Sequence, residues 1–160
     1  MREGQAEVGS DSKPFHRMKM VAQGLVVFSA AIALLLGSTH LVYTFFGSKL
    51  EPRDPTLQAR MSEVSLVFTR ETTVWKAWIG FNASHSLGMI LFGAVYAYLA
   101  LAHPAVFLQS KCLVALGGMF LLAHVLLAKV YWFSVPFAGV VLAFVSYVAA
   151  IAIAWSPTAR

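Results

Sequence analysis

Three histidines, His40, His85 and His124, stand inside long apolar runs of this chain. Imidazole exchanges a proton near neutral pH and binds metals through either ring nitrogen. Two such rings on facing helices can ligate a haem iron axially. Three can hold a transition metal. One can act as a general acid or base on a membrane-dissolved substrate. Around them lie Trp78, Asn82, Ser84, Ser86 and Tyr131, which hydrogen-bond, and the charged pair Arg70 and Glu71. The same polar set has a plainer use, since Ser, Asn and His side chains tie helices together where no water is available.

Spacing favours one cluster. His40 lies near the end of the first apolar run, His85 about ten residues past Trp75, and His124 about five before Lys129. At about 1.5 Å of rise per residue, all three are expected within roughly 7–15 Å of one surface, although successive runs alternate in direction. Each also belongs to a helical face: Gly37, His40 and Thr44; Trp78, Asn82, His85, Ser86 and Met89; Gly117, His124 and Ala128. An unsatisfied donor in hydrocarbon is costly, so these faces should turn inward. Arg70 and Glu71 stand above the cluster, either as an ion pair beside a helix cap or as a lid.

Absences narrow the chemistry. No His-x-x-x-His, His-x-x-Glu or Cys/His pair lies on any run, and no carboxylate is available there to orient a ligating imidazole. We therefore assign no metal and no cofactor, with haem kept as the redox alternative. A proton-coupled transporter, which carries an acid within the bilayer, is disfavoured on the same ground. The single cysteine, Cys112, excludes an internal disulfide and reads as a small packed hydrophobe.

These residues require elements long enough to carry them. The chain is 59% hydrophobic and 12% charged, against about 25% charged in soluble domains. Every acid lies in the first dozen residues or between Glu51 and Glu71, and none follows. A bilayer crossing needs about 20 apolar residues. Four runs qualify, at about 21–46, 74–101, 111–130 and 136–155. The expected fold is all-α, an antiparallel four-helix transmembrane bundle over residues 17–156, preceded by a disordered tail at 1–16. The link at 131–135 is so short that the last two spans must be antiparallel neighbours. Small residues, Ser84 with Gly88 and the Gly117-Gly118 pair, permit close helix approach for packing or self-association.

The outer loop, 47–73, carries its own signal. Asp54 followed by Pro55 reads as a helix start. Leu57, Met61, Val64 and Phe68 then recur at helical spacing among polar residues, which predicts an amphipathic helix along the membrane interface. Trp75, Trp78 and Trp155 fit interfacial belts. The net charge is +5. No basic stripe with stacking aromatics accompanies it, so nucleic acid is excluded as a partner and the charge is read as topological. Arg17, Lys19, Lys111 and Arg160 flank one side; Lys49, Arg53, Arg60, Arg70, Lys76 and Lys129 flank the other. The second set is larger, but the first helix usually dominates, so both termini are placed in the cytoplasm.

The stretches Arg70–Trp78 (RETTVWKAW), Gly80–Gly88 (GFNASHSLG) and Tyr131–Gly139 (YWFSVPFAG) resemble an uncharacterised family of small four-span bacterial membrane proteins. The resemblance implies a four-span architecture in a bacterial inner membrane and transfers no catalytic residue. The plan is also similar to small four-span lipid isomerases and sterol-binding proteins, but those use acids in or beside the bundle, and this chain has none inside its spans. The expected role is an accessory subunit or a binder of a lipid-like ligand, held by His40, Trp78, Asn82, His85, Ser86, His124, Tyr131, Arg70 and Glu71. The expected partners are the bilayer, such a small molecule, and a membrane-protein partner or a second copy. The alternative is a membrane enzyme or haem redox protein built on His40, His85 and His124.

Overall fold

Many large aliphatic side chains on the long helices face outward, and many of the buried positions are alanines. Ala22, Ala30, Ala33, Ala100, Ala128, Ala143 and Ala150 are buried, while Leu35, Leu87, Leu91, Leu116 and Leu126 are exposed. Water would penalise so much contiguous apolar surface, whereas lipid accommodates it and favours close backbone approach through small residues. The computed structural model describes residues 12–156, with side chains from residue 17 onward. Residues 1–11 of the expected tail, the side chain of His16, and Arg160 lie outside the described residues.

Helix α1 spans Ser12–Phe45, α2 Pro55–Glu63, α3 Val74–Ala102, α4 Pro104–Gln109, α5 Lys111–Tyr131 and α6 Ser134–Ala154; a two-stranded sheet, β1 (Ser65–Leu66) and β2 (Thr69–Thr73), separates α2 from α3. Among the described residues, four helices are long and apolar enough to cross a membrane: α1 from Arg17 onward, α3, α5 and α6. A long helix thus stands at each of the four expected runs, with α1 beginning at Ser12 rather than Val21. Pro136 sits in the first turn of α6, where a missing N–H costs no helical bond.

The outer loop departs from expectation. Asp54 does cap α2: its carboxylate accepts from the Thr56 amide at 2.9 Å and the Thr56 hydroxyl at 2.7 Å, with Pro55 at the first helical position. However, α2 stops at Glu63. Val64 takes an extended conformation as its C-cap, and β1 pairs antiparallel with β2, Leu66 opposite Thr69. Val64, Val67, Thr69, Thr72 and Thr73 are β-branched and prefer the extended state, which overrides the apolar spacing that suggested a longer helix. Val64 and Phe68 are therefore not on the helix face. Helix α4, between the second and third spans, was not expected.

The chain divides into two compact units: residues 34–91, and residues 12–33 with 92–156 among those described. In the second, parts of all four long helices pack together. Ser29 Oγ donates to Ala143 O at 2.8 Å, Gln23 Nε2 to Ala100 O at 2.8 Å, Tyr96 OH to Leu113 O at 2.8 Å and Tyr147 OH to Val114 O at 2.9 Å. The rings of Phe92, Tyr96, Phe107, Phe120 and Tyr147 pack in its interior. Gly117 is required there, because a Cβ would meet the rings of Tyr96 and Tyr147. Cys112, expected to be packed, is exposed in the first turn of α5.

Candidate functional site

In the 34–91 unit, α1 and α3 run antiparallel and touch backbone to side at Gly37. A Cβ on Gly37 would stand 2.9 Å from Ser86 O and 2.9 Å from Met89 Cβ. This contact sets the register. One turn along α1 is His40, and one turn back along α3 is Asn82, so the two side chains meet. His40 Nε2 lies 2.9 Å from Asn82 Oδ1. The amide orientation is fixed independently, because Asn82 Nδ2 donates to Trp78 O at 2.8 Å. Oδ1 is therefore the acceptor and His40 carries its proton on Nε2.

His85 completes the group. Its ring packs edge-on to His40, centroids 5.6 Å apart and planes at 79°. Phe81 lies nearly parallel to it at 6.3 Å. Asn82 and Ser86 are buried, both histidines are half-buried, and Phe81 is exposed. Ser86 Oγ donates to Asn82 O at 2.8 Å and Thr44 Oγ1 to His40 O at 2.8 Å, so each buried hydroxyl is satisfied within its own helix. The arrangement joins one half-buried imidazole pair to an exposed aromatic face. It can offer hydrogen bonds to a polar head while Phe81 covers an apolar body.

The other expected residues are distributed differently. Trp78 is at the edge of this group, its indole donating to Leu50 O at 3.1 Å. Arg70 and Glu71 are exposed on β2 and the expected pair between them does not form, whereas Arg60 pairs with Glu63 at 3.3 Å. Neighbours on a strand point to opposite faces, which separates their charges. The cap beside them is present, as Thr73 Oγ1 accepts from Lys76 N at 3.4 Å. Ser84 is exposed and Gly88 has open space about it, so Gly37 rather than that pair carries the close approach. His124 and Tyr131 belong to the other unit. His124 donates through Nδ1 to Phe120 O at 2.9 Å and packs on the Phe120 ring at 4.3 Å. Tyr131 is exposed at the end of α5. Among the described residues, no three His, Cys, Asp or Glu side chains are grouped to hold a metal ion.

Sequence reasoning missed Phe81, whose position four residues before His85 was a usable signal. It also missed a cleft of about 680 Å³ in the other unit, lined by Lys19, Gln23, Leu108, Gln109, Lys111 and Trp155 among others. These residues come from four helices or their caps, and no local spacing relates them.

The fold and this group define a chain with four helices long and apolar enough to cross a membrane, carrying a cross-helix histidine–asparagine contact. No family model, curated protein or solved structure matches the chain.

Proposed function

We infer that the chain is a multi-pass protein of a bacterial inner membrane, an accessory or binding protein for a lipid-soluble molecule with a polar head. The His40–Asn82–His85 group beside exposed Phe81 carries the reading. A ligand arriving laterally through lipid would lay its apolar part on Phe81 and direct a hydrogen-bonding group at the imidazoles. Both termini are cytoplasmic, which puts the 47–73 segment and the histidine group toward the outer leaflet. Helix α2 buries none of its residues, in keeping with an apolar stripe of Leu57 and Met61 laid on the interface.

The test is recovery of co-purifying small molecules. Wild type and a Phe81→Ala, His85→Gln variant are extracted in parallel, and bound organic molecules are measured by mass spectrometry. A species enriched several-fold on wild type is expected; identical recoveries would remove the binding role. Haem is the second reading; axial ligation would require the edge-to-face rings of His40 and His85 to part and His40 Nε2 to release Asn82 Oδ1. A Soret band in the purified protein that vanishes in His85→Ala would replace the first reading with it. A compartment-sensitive reporter fused after Arg160 checks the topology, and finding it outside the cytoplasm would reverse the assigned leaflet.

A further inference from the structure

The turn between β1 and β2 carries apolar side chains where hairpin turns usually carry polar ones or glycine. Leu66 pairs with Thr69, so Val67 and Phe68 are its two central residues. They are the most exposed large apolar side chains among the described residues, at 108% and 85%. The backbone does not call for them. Among the described residues only Gly47 has a positive φ, so both central residues of the turn keep backbone angles that polar side chains adopt equally well. Packing does not call for them either, since both stand clear of the rest of their unit.

Position confines the tip. The amide of Val74, the first residue of α3, donates to Val64 O at 2.9 Å and closes the base of the hairpin. At no more than about 3.6 Å per residue, the backbones of Val67 and Phe68 lie within roughly 11 and 14 Å of that base. Trp75 and Trp78, in the first two turns of α3, mark the interface where this helix enters the bilayer. The tip is therefore held near the same level. Area then selects the occupant. A stable protein interface takes about 800 Å² from each partner. One phenyl ring supplies about 150–250 Å² and a valine less, while the flanking Ser65, Thr69, Arg70 and Glu71 are polar. That is too little for a partner protein or a second copy. It suffices for lipid, which needs no matching surface.

We propose that Val67 and Phe68 insert into the interfacial layer of the bilayer that α3 enters, so that the partner of this hairpin tip is lipid. The apolar pair sits among the upper acyl chains and the polar flanks stay with the headgroups. The proposal rests on the membrane reading of the four long helices and is independent of the histidine group. It gives the 47–73 segment an attachment to the membrane besides Leu57 and Met61 of α2, and it holds the start of α3 at a fixed depth.

The test uses full-length protein carrying Cys112→Ala, with a single cysteine introduced by Phe68→Cys or, as a control, by Arg53→Cys in the link before α2. Both replaced side chains are exposed, so neither substitution removes a core contact. Each cysteine receives the same environment-sensitive fluorophore, and the protein is reconstituted in phosphatidylcholine vesicles. A nitroxide on the upper acyl chain should quench the label at position 68 several-fold more than the label at position 53. Iodide on both sides of the vesicle should show the reverse order. Equal quenching of the two labels by both agents overturns the proposal, because the shared fluorophore rather than the tip would set the depth. Shielding from iodide without quenching by the nitroxide means that protein covers the tip, and it also overturns the proposal. Shielding that is lost as the protein is diluted into lipid makes the occupant a second copy, with the same consequence. Release of the chain from native membranes by alkaline carbonate would overturn the membrane reading itself. That result is distinct from an iodide-accessible tip in a chain that stays membrane-bound.

Discussion

Each unit brings helices together at one glycine, and the two contacts are built from different materials. At Gly37 the neighbours are a carbonyl oxygen, a Cβ and one side-chain carbon: Ser86 O, Met89 Cβ and Ile90 Cγ1. At Gly117 they are the rings of Tyr96 and Tyr147, whose hydroxyls are fastened to Leu113 O and Val114 O on the preceding turn of α5. The first contact is against a carbonyl oxygen and a Cβ, neither of which can move without its backbone, with the Ile90 side chain beside them. The second is backbone against side-chain rings, each held by one hydrogen bond. The units also differ in charge. All four acids among the described residues, Glu51, Asp54, Glu63 and Glu71, are in the 34–91 unit. The described residues of the unit with the aromatic interior are only cations and neutral groups.

The largest expected effect follows from the first difference. Gly37→Ala should destabilise by about 1–3 kcal/mol, the usual cost of forcing atoms into a filled interface. Gly88→Ala, in open space on the same unit, should be neutral or slightly stabilising through helix propensity. Gly117→Ala should cost less than Gly37→Ala, and its cost should shrink in a Tyr147→Phe background, where the crowding hydroxyl is gone. Truncating Ile90 should rescue Gly37→Ala little, because Ser86 O and Met89 Cβ still crowd the new methyl at 2.9 Å. Equilibrium unfolding in detergent measures each of these. Equal costs at the two glycines, or a comparable rescue at Gly37, would erase the distinction.

A smaller effect belongs to the His40–Asn82 bond. Cross-helix hydrogen bonds in membranes contribute about 0.6 kcal/mol and at most about 1.7 kcal/mol. A double-mutant cycle of His40→Ala and Asn82→Ala should return a coupling of that order. Gly37→Ala should abolish the coupling, because the bond depends on the register that Gly37 sets. A coupling that survives Gly37→Ala would show the bond to be independent of the close approach.

The parts legible in the sequence were those decided by local composition. The long helices followed from apolar run length, and the Asp54 cap from one dipeptide. The meeting of His40 with Asn82 followed from polar residues turning inward on two faces. What remained hidden depended on competition or on tertiary placement. The apolar spacing of Leu57, Met61, Val64 and Phe68 fitted a helix, but β-branching around Val64 ended it at Glu63. His124 shares the depth argument with His40 and His85, yet depth alone does not choose a partner, and it donates to Phe120 O on its own helix. The Lys19 and Lys111 cleft needs four helix ends at once, which no periodicity encodes.

The charge difference gives the smallest effect and the most local one. The hydroxyl of Thr56, and then its backbone amide, hold the Asp54 carboxyl below its usual range by stabilising the charged form. A group whose folded value is depressed contributes stability above its unfolded value, near 3.9, and loses it as pH falls through the folded value. Acidification below about pH 4 should therefore loosen the start of α2, read as faster hydrogen exchange at the Thr56 and Leu57 amides after referencing to intrinsic rates. Asp54→Asn retains an acceptor without a titrating proton, so its cap should hold with no such pH limb, while Asp54→Ala should be loose throughout. The Tyr96 and Tyr147 contacts, in a unit whose described residues include no carboxylate, should pass through the same pH range unchanged. Loosening of both units together would mean that the acid response of the 34–91 unit is not confined to its own carboxylates.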